Sequence, residues 1–178
     1  MRNRRTAPAA AASVIAMGMN TPGRSYPPFT DESRVLAVVE DFRARTLPAT
    51  EWTHQAHLAV GLWHVRRFGE EASKALLRDG ISRYNEASGT PNSDTRGYHE
   101  TVTMYYVWAA ARFLETATAA TLLDLVNGFV DSRHGSKAGI FVFWSRDVLL
   151  STPARRSWVE PDLAPLSVAA LTAAVHAD

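Results

Sequence analysis

Cysteine is absent from the 178 residues, which removes disulfides, thiolate metal ligands and cysteine nucleophiles together. Any metal would have to be held by nitrogen and oxygen. An excess of either charge is also missing: 19 lysines and arginines stand against 18 acids, for a formal charge of +1. That balance offers no broad basic field for nucleic acid and no solvating acidic tail. Long apolar runs are lacking too, since none approaches the roughly 18 residues that span a bilayer. Neither GxxxxGK(S/T) nor GxSxG occurs, and no Ser-His-Asp pattern is apparent, so nucleotide phosphate binding and serine hydrolysis have no motif. The expectation is a cytoplasmic protein with a small-molecule substrate and neither nucleic acid nor membrane as partner.

What the chain does have is 46% hydrophobic residues, enough for one substantial core. Residues 1–29 differ from the rest. Met1 to Arg5 is basic, Ala9 to Met19 is alanine-rich, and Pro22, Gly23, Pro27 and Pro28 follow. A positive start before an apolar stretch resembles a secretory signal, but the stretch is mostly alanine and no small-x-small cleavage site follows it. It reads as a disordered N-terminal extension, consistent with an over-long start, ahead of a folded domain over 30–178.

From Thr30 the pattern is helical. A capping cluster at Thr30 to Ser33 precedes Leu36, Val38, Val39 and Phe42. A second helix starts at Thr50 or Thr53 and ends near Phe68-Gly69; a third covers Glu70 to about Ala87, with Leu77, Gly80, Ile81 and Tyr84 inward. After a loop from Gly89 to Gly97, helices are expected over Tyr98 to Glu115 and Thr118 to Val130. Ile140 to Leu150 favours helix, Thr152-Pro153 opens a short turn, Trp158 to Leu166 is extended, and Ser167 to His176 is a last helix. No alternation persists long enough for a sheet. The expected fold is all-α: a single-domain bundle of about six to seven helices.

Three of the six histidines lie close together in Thr50-Glu-Trp-Thr-His-Gln-Ala-His-Leu-Ala-Val-Gly-Leu-Trp-His64. At roughly 100° per residue, His54, His57 and His64 share a stripe with Leu58, Gly61, Val65 and Phe68, while Gln55, Ala59 and Arg66 lie opposite. His54 and His57, one turn apart, can reach one ion. A nearby helix N-terminus keeps them neutral, as ligands must be. His99 opens a second helix whose inward stripe runs through Val102, Thr103, Tyr106, Ala110 and Phe113. If the two helix starts adjoin, His54, His57 and His99 supply three converging nitrogens to one divalent transition metal (zinc, copper, iron or nickel) and leave a position open. Glu51 and Glu100 are candidates for general base, fourth ligand or orienting group. The plain alternative is core-wall histidines bonded to backbone carbonyls, with Glu100 simply favouring a helix dipole. A di-iron plan is disfavoured, because Glu51-x-x-His54 has no second copy. His64 reads as a core or pocket-lining residue, and His134 and His176 as solvent-exposed.

The Gly89–Gly97 loop delivers the chain into His99. Asn85, Asn92, Thr95 and Arg96 are its candidate substrate-binding residues, with Arg96 suited to a carboxylate or phosphate. The competing reading is a hydrophilic connector in which Asp94 or Thr95 caps the next helix. As surface residues, Asn92, Thr95 and Arg96 should accept alanine with little change in thermal stability.

The segments Leu47-Pro-Ala-Thr-Glu-Trp-Thr-His-Gln-Ala-His-Leu58, Arg83-Tyr-Asn-Glu-Ala-Ser-Gly-Thr-Pro-Asn-Ser-Asp-Thr-Arg-Gly-Tyr-His-Glu-Thr101 and Ser151 to Leu166 resemble a family of small uncharacterised bacterial proteins. Its members carry WTHxAHL, RYNExxGTPNxxTxGYHET and VEPDLxPL elements. The resemblance covers roughly Leu36 to Leu166 and implies a shared site around His54, His57, Tyr98, His99 and Glu100, with Tyr98 joining the glutamates as a catalytic candidate. Trp144-Ser145-Arg146 resembles an aromatic-Ser-Arg element of that family, which implies that Ser145 and Arg146 border the pocket. Tyr106, on the inward stripe of the His99 helix, is a further substrate-binding candidate. The leading expectation is a metal-dependent enzyme acting on a small organic molecule. The alternative is a metal-free ligand-binding or His/Glu acid-base protein using the same pocket. A partner-interaction module is third, weakened because inward histidines serve no external surface.

Overall fold

The computed structural model describes residues 28–173, and all regular structure among them is helical. The extension expected over 1–29 and His176 lie outside the described residues, apart from Pro28 and Phe29. Asp31 starts α1 (Glu32–Ala44) by accepting the Arg34 N–H, and Val35, Val38, Val39 and Phe42 form its buried stripe. Leu36, expected inward, is partly exposed because Val35 holds the core position. The helix stops where Arg45 turns left-handed, at φ 64°. A 3-10 turn at Ala49–Glu51 follows, and Thr53, the second of the two candidate caps, starts α2 (His54–Phe68) by accepting the Ala56 N–H.

Gly69, at φ 80°, both ends α2 and begins α3 (Glu70–Ala87), so a single residue turns the corner. Then come α4 (Glu100–Thr116), α5 (Leu122–Asp131), a 3-10 turn at Gly139–Val142, α6 (Arg146–Leu149), α7 (Thr152–Arg156) and α8 (Val168–Ala173). The expected helix over Ile140–Leu150 is thus two short pieces broken around Trp144. Similarly α5 begins at Thr121, whose hydroxyl accepts the Asp124 N–H, and not at Thr118. No described helix is long and apolar enough to cross a membrane.

α2 is the central element and packs against α1, α3, α4 and α5. Gln55 and Ala59, expected on an outer face, are therefore buried together with Leu58, Leu62 and Val65. A two-sided pattern appears where a helix has neighbours all round. Leu58, Leu62, Tyr84, Tyr105, Phe129, Phe143 and Trp144 are the large, fully buried side chains, each contributing roughly 1.5–3 kcal/mol through burial.

The C-terminal extended segment is a strap fastened by polar contacts. The Thr101 hydroxyl, fully buried on α4, donates to Ser157 O (3.0 Å) and accepts the Val159 N–H (3.2 Å). Trp144 Nε1–H donates to Val159 O, the Ser145 N–H to Asp162, and the Leu163 N–H to Phe143 O.

Candidate functional site

The walls of α2, α3 and α4 enclose two adjoining cavities. One, of about 300 Å³, is lined mainly by Leu58, Val60, Leu77, Ile81, Val102 and Val107, with His54, His57, Thr103 and Tyr106 as its polar members. The other, of about 320 Å³, adds Asn85, Thr90, Tyr98 and His99. Trp52, His57, Ile81, Val102 and Thr103 belong to both, so His57 stands where the apolar chamber meets its polar neighbour.

Each imidazole is oriented by a backbone carbonyl. A carbonyl oxygen only accepts, so the ring nitrogen facing it must carry the proton. His57 Nδ1–H donates to Thr53 O at 2.8 Å, which leaves the lone pair on Nε2. His54 Nε2–H donates to Gly135 O at 2.8 Å and leaves it on Nδ1. His99 Nε2–H donates to Leu149 O at 2.9 Å, while its Nδ1 accepts the Val102 N–H at 3.4 Å. His99 is therefore the N-cap of α4 and not a residue of its first turn, and neither Asp94 nor Thr95 performs the capping. Both of its ring nitrogens are engaged. Among the described residues, no group of three or more histidines and acids is arranged to hold a metal ion.

The His57 ring is open to the cavities yet closely surrounded by protein. It lies almost face to face on Trp52, with ring centroids 3.8 Å apart and planes 30° apart. Trp52 in turn stacks on Phe42, at 4.8 Å. Burial, with Lys137 and a proton on neighbouring His54 both opposing a second charge, pushes the His57 pKa down to about 4 despite the Thr53 bond. Burial lowers His54 as well, helped by Lys137, and it lowers His99, helped by Arg155. All three rings are biased towards the neutral form. Tyr106 packs edge-on against His54, at 5.4 Å, and its hydroxyl donates a hydrogen bond to Ser136 O.

The acids face elsewhere. Glu51 pairs with Arg34 in a separate groove beside Thr50 and Gln55. Glu100 is buried, accepts both a nitrogen pair from Arg78 and the Tyr98 hydroxyl (2.7 Å), and lines a groove with Trp108 and Trp158. Burial alone would raise the Glu100 carboxyl, but Arg78 and Tyr98 outweigh it and hold it below its ordinary value. Burial and the Glu100 bond raise the Tyr98 hydroxyl. Neither glutamate lines the histidine cavities.

No family model matches this chain, and no curated protein or solved structure is significantly similar to it. The functional reading therefore rests on the geometry.

Of the four candidates Asn85, Asn92, Thr95 and Arg96, only Asn85, near the end of α3, lines a cavity, where Thr90 and Gly97 of the loop join it. Asn92 is turned inward to the chain itself: its Oδ1 accepts from Asn85 Nδ2 (2.9 Å) and from the Tyr98 N–H (3.0 Å), and its Nδ2 donates to Ser82 O (2.9 Å). Thr95 and Arg96 are exposed and line neither cavity. Asp94 forms a two-bond pair with Arg156, and Arg155 donates to the carbonyls of Gly97 and Tyr98. The loop is a fastened connector. Ser145 caps α6 and Arg146 lies over the Phe141 ring, both away from the two cavities. His134, expected to be solvent-exposed, is half-buried against Phe113, with Nε2 enclosed and unbonded among the described residues.

Trp52, Thr53 and the carbonyls of Gly135 and Leu149 complete the site, and sequence reasoning did not assign them to it. Trp52 had a signal, since it stands in the quoted WTHxAHL element two residues before His54.

Proposed function

We propose that the chain binds a small organic molecule in the cleft between α2, α3 and α4, and that His57 recognises it. The supporting observation is the His57 tautomer: Thr53 O takes the Nδ1 proton, so Nε2 offers a lone pair at an apolar chamber. Pockets that bind small molecules combine mostly apolar walls with a few well-placed polar groups of this kind. With a pKa of about 4, His57 stays uncharged at neutral pH. A general base works best with a pKa near the working pH, so accepting a hydrogen bond is the role this ring fits better than abstracting a proton. The test is a fragment screen read by histidine-selective NMR. Bound fragments should shift the His57 Nε2 resonance, and His57→Phe, which keeps the stack on Trp52, should weaken binding by roughly two- to tenfold, the worth of one net hydrogen bond. Fragments that bind this variant undiminished would overturn the proposal.

A second reading, a metal-dependent hydrolase, lyase or oxygenase, has its own support. All three imidazoles donate their one ring N–H to a backbone carbonyl, an arrangement common around metal-bound histidine, whose other nitrogen holds the ion. His54 Nδ1 and His57 Nε2 would be the donors to zinc, copper, iron or nickel. His99 would join only by releasing the Val102 N–H. Such an ion would polarise a substrate or a water molecule, and Glu51 or Glu100 would act as base only after parting from Arg34 or Arg78. Elemental analysis of untagged protein separates the readings: a stoichiometric transition metal favours the second.

A further inference from the structure

We infer that the ligand of this cleft is an uncharged molecule, with an apolar body of about two rings in the chamber and a hydroxyl or N–H that donates to His57 Nε2. The inference rests on the ligand-binding reading above and adds the chemical class of the ligand.

The charge follows from what lines the cavities. No lysine, arginine, aspartate or glutamate is among the lining residues of either one. The hydroxyl donors are largely committed within the protein. Tyr106 donates to Ser136 O, Thr103 to His99 O and Tyr98 to Glu100. One Asn85 amide proton goes to Asn92, and the His99 N–H goes to Leu149 O. What remains for a ligand at the junction is the acceptor lone pairs on His54 Nδ1 and His57 Nε2, with the Trp52 indole N–H, the Thr90 hydroxyl and the second Asn85 amide proton as neutral donors.

A carboxylate or phosphate brings only acceptors and would meet those lone pairs head-on. It would also lose its hydration without gaining a cation, a cost that buried ions meet only by pairing. Lys137 and Arg155 are felt at the histidines but line neither cavity, and Arg155 is spent on the carbonyls of Gly97 and Tyr98. An anion would bind well only if an imidazole took up a proton from solvent at the same time, against the surroundings that disfavour its charged form.

The size follows from the chamber. An apolar cavity of roughly 150 Å³ takes up benzene, and this one is about 300 Å³, room for a two-ring body. Leu58, Val60, Leu77, Ile81 and Val107 would surround it, with its donor group reaching the junction at His57.

Three probes of one shape class test this on the full chain by calorimetry and His57 NMR: 2-naphthol, 2-methoxynaphthalene and 2-naphthoate. 2-Naphthol should bind best. 2-Methoxynaphthalene, without the donor, should bind roughly two- to tenfold more weakly, the worth of one net hydrogen bond. 2-Naphthoate should show no binding, and His57→Phe should bring 2-naphthol down to the level of the methoxy compound. Tightest binding by 2-naphthoate, with proton uptake, would overturn the uncharged class while leaving the ligand site standing. Equal affinity for the naphthol and its methyl ether would remove the donor assignment. If none of the three moves the His57 resonance while other fragments do, the inference fails alone. If no fragment of any class moves it, the ligand-binding reading fails with it.

Discussion

Asn92→Ala should destabilise the protein although Asn92 is exposed, and Arg96→Ala should not. The Asn92 side chain makes three hydrogen bonds, to Asn85 Nδ2, the Tyr98 N–H and Ser82 O, all between 2.9 and 3.0 Å. Each is worth about 1 kcal/mol net. The bonds to Ser82 and Tyr98 deserve a discount because water replaces them easily. The one from Asn85 does not, because Asn85 is only 5% exposed and its amide would be left short of a partner in the interior. A loss of about 2 kcal/mol results, equivalent to roughly 4–8 °C in Tm for a domain of this size. Thermal unfolding followed by far-UV circular dichroism measures it, with Arg96→Ala and Thr95→Ala expected within about 1–2 °C of wild type. Adding Asn85→Ala should cost less in the Asn92→Ala background than alone, because the orphaned amide is already gone. Equal Tm values for Asn92→Ala and wild type, or an equal loss from Arg96→Ala, would refute the assignment of this loop as a connector fastened through Asn92.

Arg78→Ala should cost roughly 1–3 kcal/mol, the range for breaking a buried pair reduced because Arg78 itself is half exposed; Tm measurements should show Glu100→Gln recovering part of the loss. Lowering pH should destabilise the fold through the histidines. The unfolded His57 takes a proton near 6.5 and the folded one only at about 4, so its contribution is complete above 6.5 and is lost as pH falls towards 4. His54, His64, His99 and His134 shift in the same direction through burial. A Tm-versus-pH profile should be shallower for His57→Phe, and an unchanged slope would contradict it. Gly135→Ala places a Cβ 2.2 Å from Phe129 O, so the loop must move and His54 should lose its fixed tautomer; an unaltered His54 NMR signal would show that the carbonyl does not orient the ring.

The sequence is most readable where local chemistry decides. The Glu70 to Ala87 helix is bounded by Gly69 and the loop glycine, and α2 by Thr53 and Gly69, so these elements follow from caps and breakers. That His54 and His57 share a cavity follows from their one-turn spacing. The fate of the glutamates does not follow, because Glu100 meets Arg78 across 22 residues and Glu51 meets Arg34 across 17. Nothing in the spacing of either acid announces those partners. His99 is a similar case: a histidine before a helix reads as a ligand, whereas its Nδ1 accepts from the helix's own backbone. Asn92 looks like loop polarity and is a three-bond fastener. His134 sits in a polar stretch, yet Phe113 covers it.

The orientation of two of the three histidines depends on parts of the chain made much later. His54 is turned by the carbonyl of Gly135, 81 residues downstream, and His99 by that of Leu149, 50 residues downstream. During synthesis, the cleft's three helices are complete once Thr116 has emerged. Two of its imidazoles then wait for the 135 and 149 carbonyls. A nascent or prematurely terminated chain ending before residue 149 therefore carries every histidine of the site without its full steering. The histidines' orientation is thus acquired last, together with the core residues Phe143, Trp144 and Leu149 that the same late segment brings.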